Sequence, residues 1–251
     1  MKYEWCRELL EKNRHIIIGG CSGSGKSVAE NDLIYNMLLN KPDKNCFVLI
    51  DLKQVELINY KDAPHCAGYC DNPNDLYALM LGVERVMDNR LKRMQANREK
   101  VSSEPVLWVI IDEFYDICIM SDKRVKKIIN RISAVGRAAK VLLLVCTQVC
   151  TKQVLEVLAN NIDVKIGCRT VTAQDSRNLL KVNGCEKLPQ YGKAIVQVCG
   201  YNKEVDVPLT PDEKIRERVQ YWVDLATPQQ TAPAPTQSHS EPQKKKRWWQ
   251  R

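Results

Sequence analysis

Short apolar runs alternate along the chain with segments in which apolar residues recur every three or four positions. Runs that are apolar at consecutive positions and rich in β-branched residues are typical of strands buried on both faces of a parallel sheet. The sequence predicts such strands at residues 16–18, 46–50, 107–111 and 141–145. These runs are the predicted centre of the fold.

The intervening segments have helical periodicity. Apolar residues spaced three and four apart define a long amphipathic helix from Leu76 to Met94. The same spacing predicts helices over residues 26–39 and 125–138. A short strand after Ile162, a helix near 176–181 and a pair of strands at 194–198 and 204–207 are predicted to follow. Strands alternating with helices predict an α/β fold, with a mostly parallel central sheet flanked by helices on both faces.

Composition divides the chain into three parts. Residues 1–14 are predicted to form a helical lead-in and residues 15–225 a single domain. Residues 226–251 are rich in proline and glutamine and end in the basic-aromatic cluster KKKRWWQR. This tail has almost nothing to bury, so it is predicted to be disordered. Its cluster suits nucleic acid, an anionic membrane surface or a pocket on a partner protein.

The chain of 251 residues carries a formal charge of +8, and the tail accounts for 5 − 1 = +4 of it. A basic chain suits a polyanionic partner. The eleven cysteines are an odd number and no secretion signal precedes them. These two features predict a reduced, cytoplasmic chain. No apolar run reaches the roughly 20 residues needed to span a bilayer, so no transmembrane segment is predicted. The spacing of His65, Cys66 and Cys70, and of Cys146 and Cys150, matches no zinc site.

The strongest chemical signal is a glycine-rich loop that matches G-x-x-x-x-G-K-[ST] between a predicted strand and a predicted helix. In such a loop the glycines let backbone N–H groups turn inward around phosphates, and the helix N-terminus favours an anion. Lys26 is predicted to reach the β- and γ-phosphates of ATP, and the Ser27 hydroxyl to bind Mg²⁺. The predicted nucleotide-binding residues are Gly20, Cys21, Ser22, Gly23, Ser24, Gly25, Lys26 and Ser27.

Two polar pairs follow other predicted strands. Asp112 and Glu113 end the third apolar run, where Asp112 is predicted to hold Mg²⁺ and Glu113 to polarise the attacking water. Acids at a helix N-terminus are also favoured by the helix dipole alone. Thr147 and Gln148 end the fourth run, where the pair could sense the γ-phosphate or orient the attacking water, or Thr147 could simply cap a helix.

Several of these stretches together resemble the motor domain of the FtsK/SpoIIIE DNA translocases. They are HIIIGGCSGSGKS, FVLIDLKQVELINY, MDNRLKRM, VIIDEF and GRAAKVLLLVCTQ, followed by Asp175-Ser176-Arg177. The glycine loop is common to many families. More discriminating are the run Ile50-Asp51-Leu52-Lys53 with Glu56-Leu57, and the late Asp175-Ser176-Arg177. The resemblance covers residues 15 to about 198, or roughly three quarters of the chain.

The resemblance implies a RecA-like P-loop NTPase that assembles as a homo-oligomer, a hexameric ring, around double-stranded DNA. In such rings an arginine of one subunit completes the active site of its neighbour. Arg177 ranks first for this role, ahead of Arg137 and Arg169. Where the family has Arg-Pro after the glutamine, this chain has Val149-Cys150. The membrane helices and the winged-helix module of the large members have no counterpart in it, which favours a motor serving a mobile element, plasmid or phage.

Three functions remain open from the sequence. The first is a DNA-stimulated ATPase that translocates duplex DNA in conjugative transfer, packaging or segregation. The second is a nucleotide-dependent coupling or switch protein that docks a relaxase or replication protein, through the tail for example. The third is a phosphotransferase, which the paired carboxylates Asp112 and Glu113 disfavour because they suit water as the acceptor.

Overall fold

The computed structural model describes residues 4–120, 122–158 and 161–227. Within these ranges eight strands belong to one sheet. In chain order they are β1 Ile16–Gly19, β2 Asn45–Ile50, β3 Cys66–Cys70, β4 Val106–Ile111, β5 Val141–Thr147, β6 Val164–Gly167, β7 Lys193–Val198 and β8 Tyr201–Asp206. The tail beyond residue 227, with its basic-aromatic cluster, lies outside the described residues.

Eight α-helices connect or flank these strands in the described residues. They are α1 Glu4–Glu11, α2 Lys26–Leu38, α3 Pro73–Asn97, α4 Phe114–Met120, α5 Lys123–Val135, α6 Lys152–Glu156, α7 Ala173–Leu180 and α8 Asp212–Ala226. Short 3₁₀ turns occur at Ile58–Tyr60 and Cys185–Lys187. None of the helices in the described ranges is both long and apolar enough to cross a membrane.

The strands lie side by side in the order β3-β2-β4-β5-β1-β6-β7-β8. All pairings from β3 to β6 are parallel, and β7 and β8 add an antiparallel edge. The predicted mostly parallel sheet is therefore confirmed. Since connections between parallel strands cross one face or the other, both faces of the sheet are covered by helices.

Alternate residues of each strand supply two separate cores. Ile17 faces a core shared with α3, α5 and α7, whereas its neighbours Ile16 and Ile18 face a core shared with α1, α2 and α8. Because side chains alternate across a strand, burial on both faces requires consecutive apolar residues. Burial on both faces of the sheet therefore explains why the apolar runs of the sequence are unbroken.

Four elements were not predicted from the sequence: β3, α4, α6 and α8. Three of the four are elements of seven residues or fewer, and α8 lies beside the predicted domain boundary and ends at Ala226. On α8, Trp222 is buried and donates its indole N–H to the carbonyl of Leu38 at 2.8 Å. The ring of His65 stacks on Phe47 and meets Trp222 edge to face, so this histidine is a core residue.

Candidate active site

The candidate site lies where three neighbouring parallel strands end. In the sheet β5 lies between β4 and β1. The carboxyl ends of parallel strands meet at one edge, and in open α/β sheets ligands bind there. The loop after β1 therefore lies beside Gln148 after β5, and next to Asp112 and Glu113 after β4.

Backbone hydrogen bonds and two glycines hold the loop after β1 open. The N–H of Gly20 donates to the carbonyl of Thr147 at 3.3 Å, and that of Cys21 donates to the carbonyl of Arg169 at 2.8 Å. Gly23 and Gly25 have φ of 68° and 86°, in the left-handed region that strains other residues. Gly25 immediately precedes α2, so the loop directs the helix N-terminus towards the site.

Lys26 is the first residue of α2 and is buried. Its Nζ donates to the carbonyl oxygen of Cys21 at 2.9 Å, so the ammonium lies folded over the loop. An ammonium has three N–H donors, which leaves two for phosphate oxygens in this position.

Ser27 has a hydrogen-bond partner that was not predicted from the sequence. Its Oγ donates to Oε1 of Glu56 at 2.8 Å. Glu56 belongs to the loop after β2, which Asp51 holds in place by accepting the N–H of Leu57 at 2.9 Å. The signal available in the sequence was the pair Glu56-Leu57 after the run Ile50–Lys53, which is discriminating for the family but was given no chemical role.

The two carboxylates after β4 have different surroundings. Burial, and the neighbouring charges of Asp51, Glu56 and Glu113, raise the pKa of Asp112 to about 7. Glu113 is buried, and its Oε1 accepts the backbone N–H of Gln148 at 3.1 Å. This hydrogen bond ties the ends of β4 and β5 together.

Lys53 is a second cation at the site, and no role was predicted for it from the sequence. Its Nζ lies 3.5 Å from Oε2 of Glu113 and 3.6 Å from Oδ2 of Asp116. Lys53 is exposed, so the charge of Glu113 is balanced by a residue that faces the solvent.

A cavity of about 360 Å³ joins these groups. Of the eight predicted loop residues five line it, and the other three, Gly20, Cys21 and Ser24, do not. The lining also contains Asp112, Glu113 and Gln148, and Lys53 and Glu56 from the loop after β2. The cavity thus brings together the predicted site residues except the three other loop residues and the arginines.

None of the three arginine candidates lines this cavity. Arg177 is exposed on α7 and donates to the side-chain oxygens of Asn183 at 2.7 Å and Gln174 at 3.0 Å. Arg137 forms an ion pair with Asp163 at 3.2 Å. Arg169 is exposed and its backbone carbonyl holds the phosphate loop.

The donor set fits a magnesium–nucleotide complex. In the described part of the chain, no three His, Cys, Asp or Glu side chains are grouped as a self-sufficient metal site. Mg²⁺ in nucleotide sites is held by one or two carboxylates, a hydroxyl, waters and the phosphates themselves. Asp112, Glu56 and the Ser27 hydroxyl provide such a partial set, and the crowded negative charge that raises the pKa of Asp112 favours a divalent cation.

Replacing Asp112 by asparagine is expected to stabilise the nucleotide-free protein at pH 8. The pKa of Asp112 is 3.8 in the unfolded chain and about 7 in the folded protein. The free energy of unfolding of the wild type therefore falls as the pH rises from about 4 to about 7, because the folded state resists ionisation of this carboxyl group. Allowing for partial solvation, the gain is about 2 kcal/mol, or roughly 4–8 °C in Tm. The gain should disappear below about pH 4, where both states of the wild type are protonated. Thermal unfolding followed by circular dichroism measures it.

The matched control is Asp43→Asn, which removes an exposed carboxylate outside the cavity. Its Tm should follow that of the wild type at every pH. An Asp112→Asn protein with no gain at pH 8, or with an equal gain at pH 4, would show that burial of the charge does not destabilise the site.

Comparisons with known proteins agree with this geometry. Residues 6–104 match the sequence profile of the FtsK/SpoIIIE family. The chain is 31% identical over 239 residues to the DNA translocase FtsK of Staphylococcus aureus, covering 86% of this chain and 30% of that protein. It is 30% identical over 265 residues to the DNA translocase SpoIIIE of Bacillus subtilis, covering 92% of this chain and 33% of that protein. The chain therefore spans about a third of these relatives.

The fold also matches solved structures. The pCW3 conjugation coupling protein TcpA, in its monomer form with ATPγS, superposes with a TM-score of 0.76 at 20% identity, covering 87% of this chain and 66% of that one. The match shows a shared fold, and the profile and the relatives show the family. This chain contains a P-loop ATPase domain of the FtsK/SpoIIIE family.

Proposed function

We propose that this protein binds ATP with Mg²⁺ at the loop of residues 20–27, hydrolyses it and uses the energy to translocate double-stranded DNA. The observation that carries the proposal is the single cavity shared by Lys26, Ser27, Asp112, Glu113 and Gln148. It combines a phosphate-binding loop, the ligands of a divalent cation and a carboxylate for the attacking water.

Each residue has a distinct part in this proposal. The loop and Lys26 bind the phosphates, and Ser27 and Asp112 hold Mg²⁺, with Glu56 beside them. When bound, the cation neutralises charge that develops on the transferred phosphoryl group. Glu113 accepts a proton from the attacking water, and Gln148, held beside it, orients that water near the γ-phosphate.

Duplex DNA is proposed as the track because two relatives at about 30% identity are named DNA translocases. The formal charge of +8 agrees with a polyanionic partner. The resemblance to the family also implies a homo-oligomeric ring, a hexamer, and the protein is proposed to act in that form. Service to a mobile element, plasmid or phage is proposed because the chain shares its fold with a conjugation coupling protein.

The test is ATP turnover with and without duplex DNA, together with the mass of the assembly formed with nucleotide. Stimulation by duplex DNA and a mass that is a multiple of the subunit mass are expected. The Lys26→Ala protein serves as the background control. Turnover that duplex DNA leaves unchanged would contradict the translocase proposal.

A second candidate function is a nucleotide-dependent coupling protein that docks a DNA-processing partner, such as a relaxase or replication protein, without translocating DNA. The shared fold with a conjugation coupling protein favours it. Nucleotide-dependent binding to such a partner, together with DNA-independent turnover, would support this candidate.

Deleting residues 228–251 is expected to leave the Tm unchanged and to weaken DNA binding, with a shallower dependence of affinity on salt. The deleted segment contains Lys244, Lys245, Lys246, Arg247 and Arg251. Each cation that neutralises a phosphate contributes close to one unit, about 0.9, to the salt slope on duplex DNA. Fluorescence anisotropy at several salt concentrations measures this slope.

The control for the deletion is a full-length variant in which Trp248 and Trp249 are replaced by alanine, which keeps the charges. This variant should retain the wild-type salt slope and lose only the contribution of stacking. A deletion protein with an unchanged slope would indicate that the tail docks on a membrane or a protein.

A further inference from the structure

An exposed tyrosine lies at the mouth of the candidate ATP cavity. Tyr191 lines the same cavity as Gly23, Lys26 and Gln148, and it is 61% exposed. A single exposed aromatic residue is common on protein surfaces and needs no explanation by itself. The position of Tyr191 beside the phosphate loop, and the way its own loop is held, are what distinguish it.

The loop that carries Tyr191 is anchored on both sides. Before it, Leu188 is buried in the core between the sheet and α7. After it, the carbonyl of Gly192 accepts the N–H of Val207 at 2.9 Å. The side-chain amide of Gln190 donates to Oη of Tyr191 at 3.1 Å. The fold therefore keeps the aromatic ring at the edge of the cavity.

Tyr191 lies on the opposite flank of the phosphate loop from the proposed catalytic carboxylate. In the sheet, β4 and β5 lie on one side of β1, and β6 and β7 lie on the other. Glu113 follows β4, whereas Tyr191 immediately precedes the start of β7. Because Gly167 at the end of β6 pairs with Ile195, β7 begins at the same edge of the sheet where the parallel strands end.

For ATP bound as proposed above, this arrangement favours one direction of the nucleotide. The reacting γ-phosphate must lie near Glu113 and Gln148, since these residues face the attacking water in the proposed reaction. The remainder of the nucleotide then extends across the loop towards the other flank. Gly23 forms the bridge, since a Cβ placed on it would lie 3.9 Å from Oη of Tyr191.

We propose that Tyr191 forms the nucleoside subsite of this protein, with its ring in contact with the face of the purine base. The inference rests on the proposed ATP binding and deepens it, because it assigns the part of the ligand that the phosphate loop does not contact. An aromatic ring suits this role since bases stack on tyrosine, and the hydroxyl remains hydrated.

The test compares two ligands that share the phosphates and differ in the base. Dissociation constants are measured by calorimetry for ATP and for inorganic tripolyphosphate, both with Mg²⁺, using the full chain. The Tyr191→Ala protein is expected to bind ATP about tenfold more weakly than the wild type and to bind tripolyphosphate equally well. Tyr191→Phe keeps the ring and should bind both ligands as the wild type does.

Tyr201→Ala is the matched control, because Tyr201 is 84% exposed and lies in β8, outside the cavity lining. Its two dissociation constants should equal those of the wild type. An unchanged ATP affinity in Tyr191→Ala would overturn the nucleoside subsite and leave the phosphate-loop assignment standing. Equal losses for ATP and tripolyphosphate would also overturn it, since Tyr191 would then act on the phosphate loop. A wild-type protein that binds tripolyphosphate but not ATP would contradict both proposals.

Discussion

The Arg177→Ala protein is expected to bind ATP and to assemble, yet to hydrolyse ATP on the order of 10³–10⁵ times more slowly than the wild type. The expectation follows from the position of Arg177 on α7, exposed and outside the cavity of its own subunit. Its hydrogen bonds go to the neutral side chains of Asn183 and Gln174. In an assembled ring, the guanidinium would reach the phosphates bound by a neighbouring subunit and stabilise the charge on the transferred phosphoryl group.

Mixing two inactive variants tests whether Arg177 acts across a subunit boundary. Arg177→Ala retains an intact phosphate loop, and Lys26→Ala retains an intact Arg177. Mixed assemblies should recover part of the activity at interfaces that combine the two intact residues. Arg216→Ala, which removes an exposed arginine of α8, should be active alone.

Two outcomes would contradict this assignment. The first is full activity of Arg177→Ala by itself, which would make the residue a bystander. The second is a mixture that remains inactive although mixed assemblies form. Arg169, and then Arg137, which is paired with Asp163, would be tested next in the same way.

Glu113→Gln is expected to preserve ATP binding and to reduce turnover on the order of 10²–10⁴-fold. Glutamine keeps an oxygen that can accept the N–H of Gln148, as Oε1 of Glu113 does at 3.1 Å, so the ends of β4 and β5 stay joined. What is lost is the basicity that polarises water. Single-turnover hydrolysis and equilibrium ATP binding, measured on the same preparation, separate the two effects.

Two further variants make the Glu113→Gln result specific. Lys26→Ala removes the cation that faces the phosphates, so it should abolish productive binding itself. Asp116→Asn removes the other ion-pair partner of Lys53, at 3.6 Å, and leaves the pair between Lys53 and Glu113 in place. Asp116 itself does not line the cavity, so the turnover of this variant should remain near that of the wild type. Near-normal turnover in Glu113→Gln would show that another group activates the water.

The sequence predicted the parallel part of the sheet because each of its central strands is buried on both faces. Strands such as β4 and β5 must be apolar at consecutive positions, and the pattern is visible without any tertiary information. β3 was missed because it is an edge strand of five residues in which only two are fully buried. α8 was missed because only three of its fifteen residues are buried.

The same contrast holds for the site. The motif of residues 20–27 follows from local rules, since a left-handed glycine and a helix N-terminus suffice to bind phosphate. Its neighbours Asp112, Glu113 and Gln148 were predictable because polar residues that end parallel strands meet at one edge of the sheet. By itself, the sequence therefore determined the parallel core and the polar residues that meet at the strand ends.

Only the tertiary structure revealed Glu56 against Ser27, Lys53 between Glu113 and Asp116, and Tyr191 at the cavity mouth. All three lie on loops, where no periodic pattern fixes the direction of a side chain. Their positions depend on contacts between residues far apart in the chain, such as the 29 positions between Ser27 and Glu56. The elevated pKa of Asp112 has the same origin, because burial and the approach of Asp51, Glu56 and Glu113 exist only once the strands have been placed side by side.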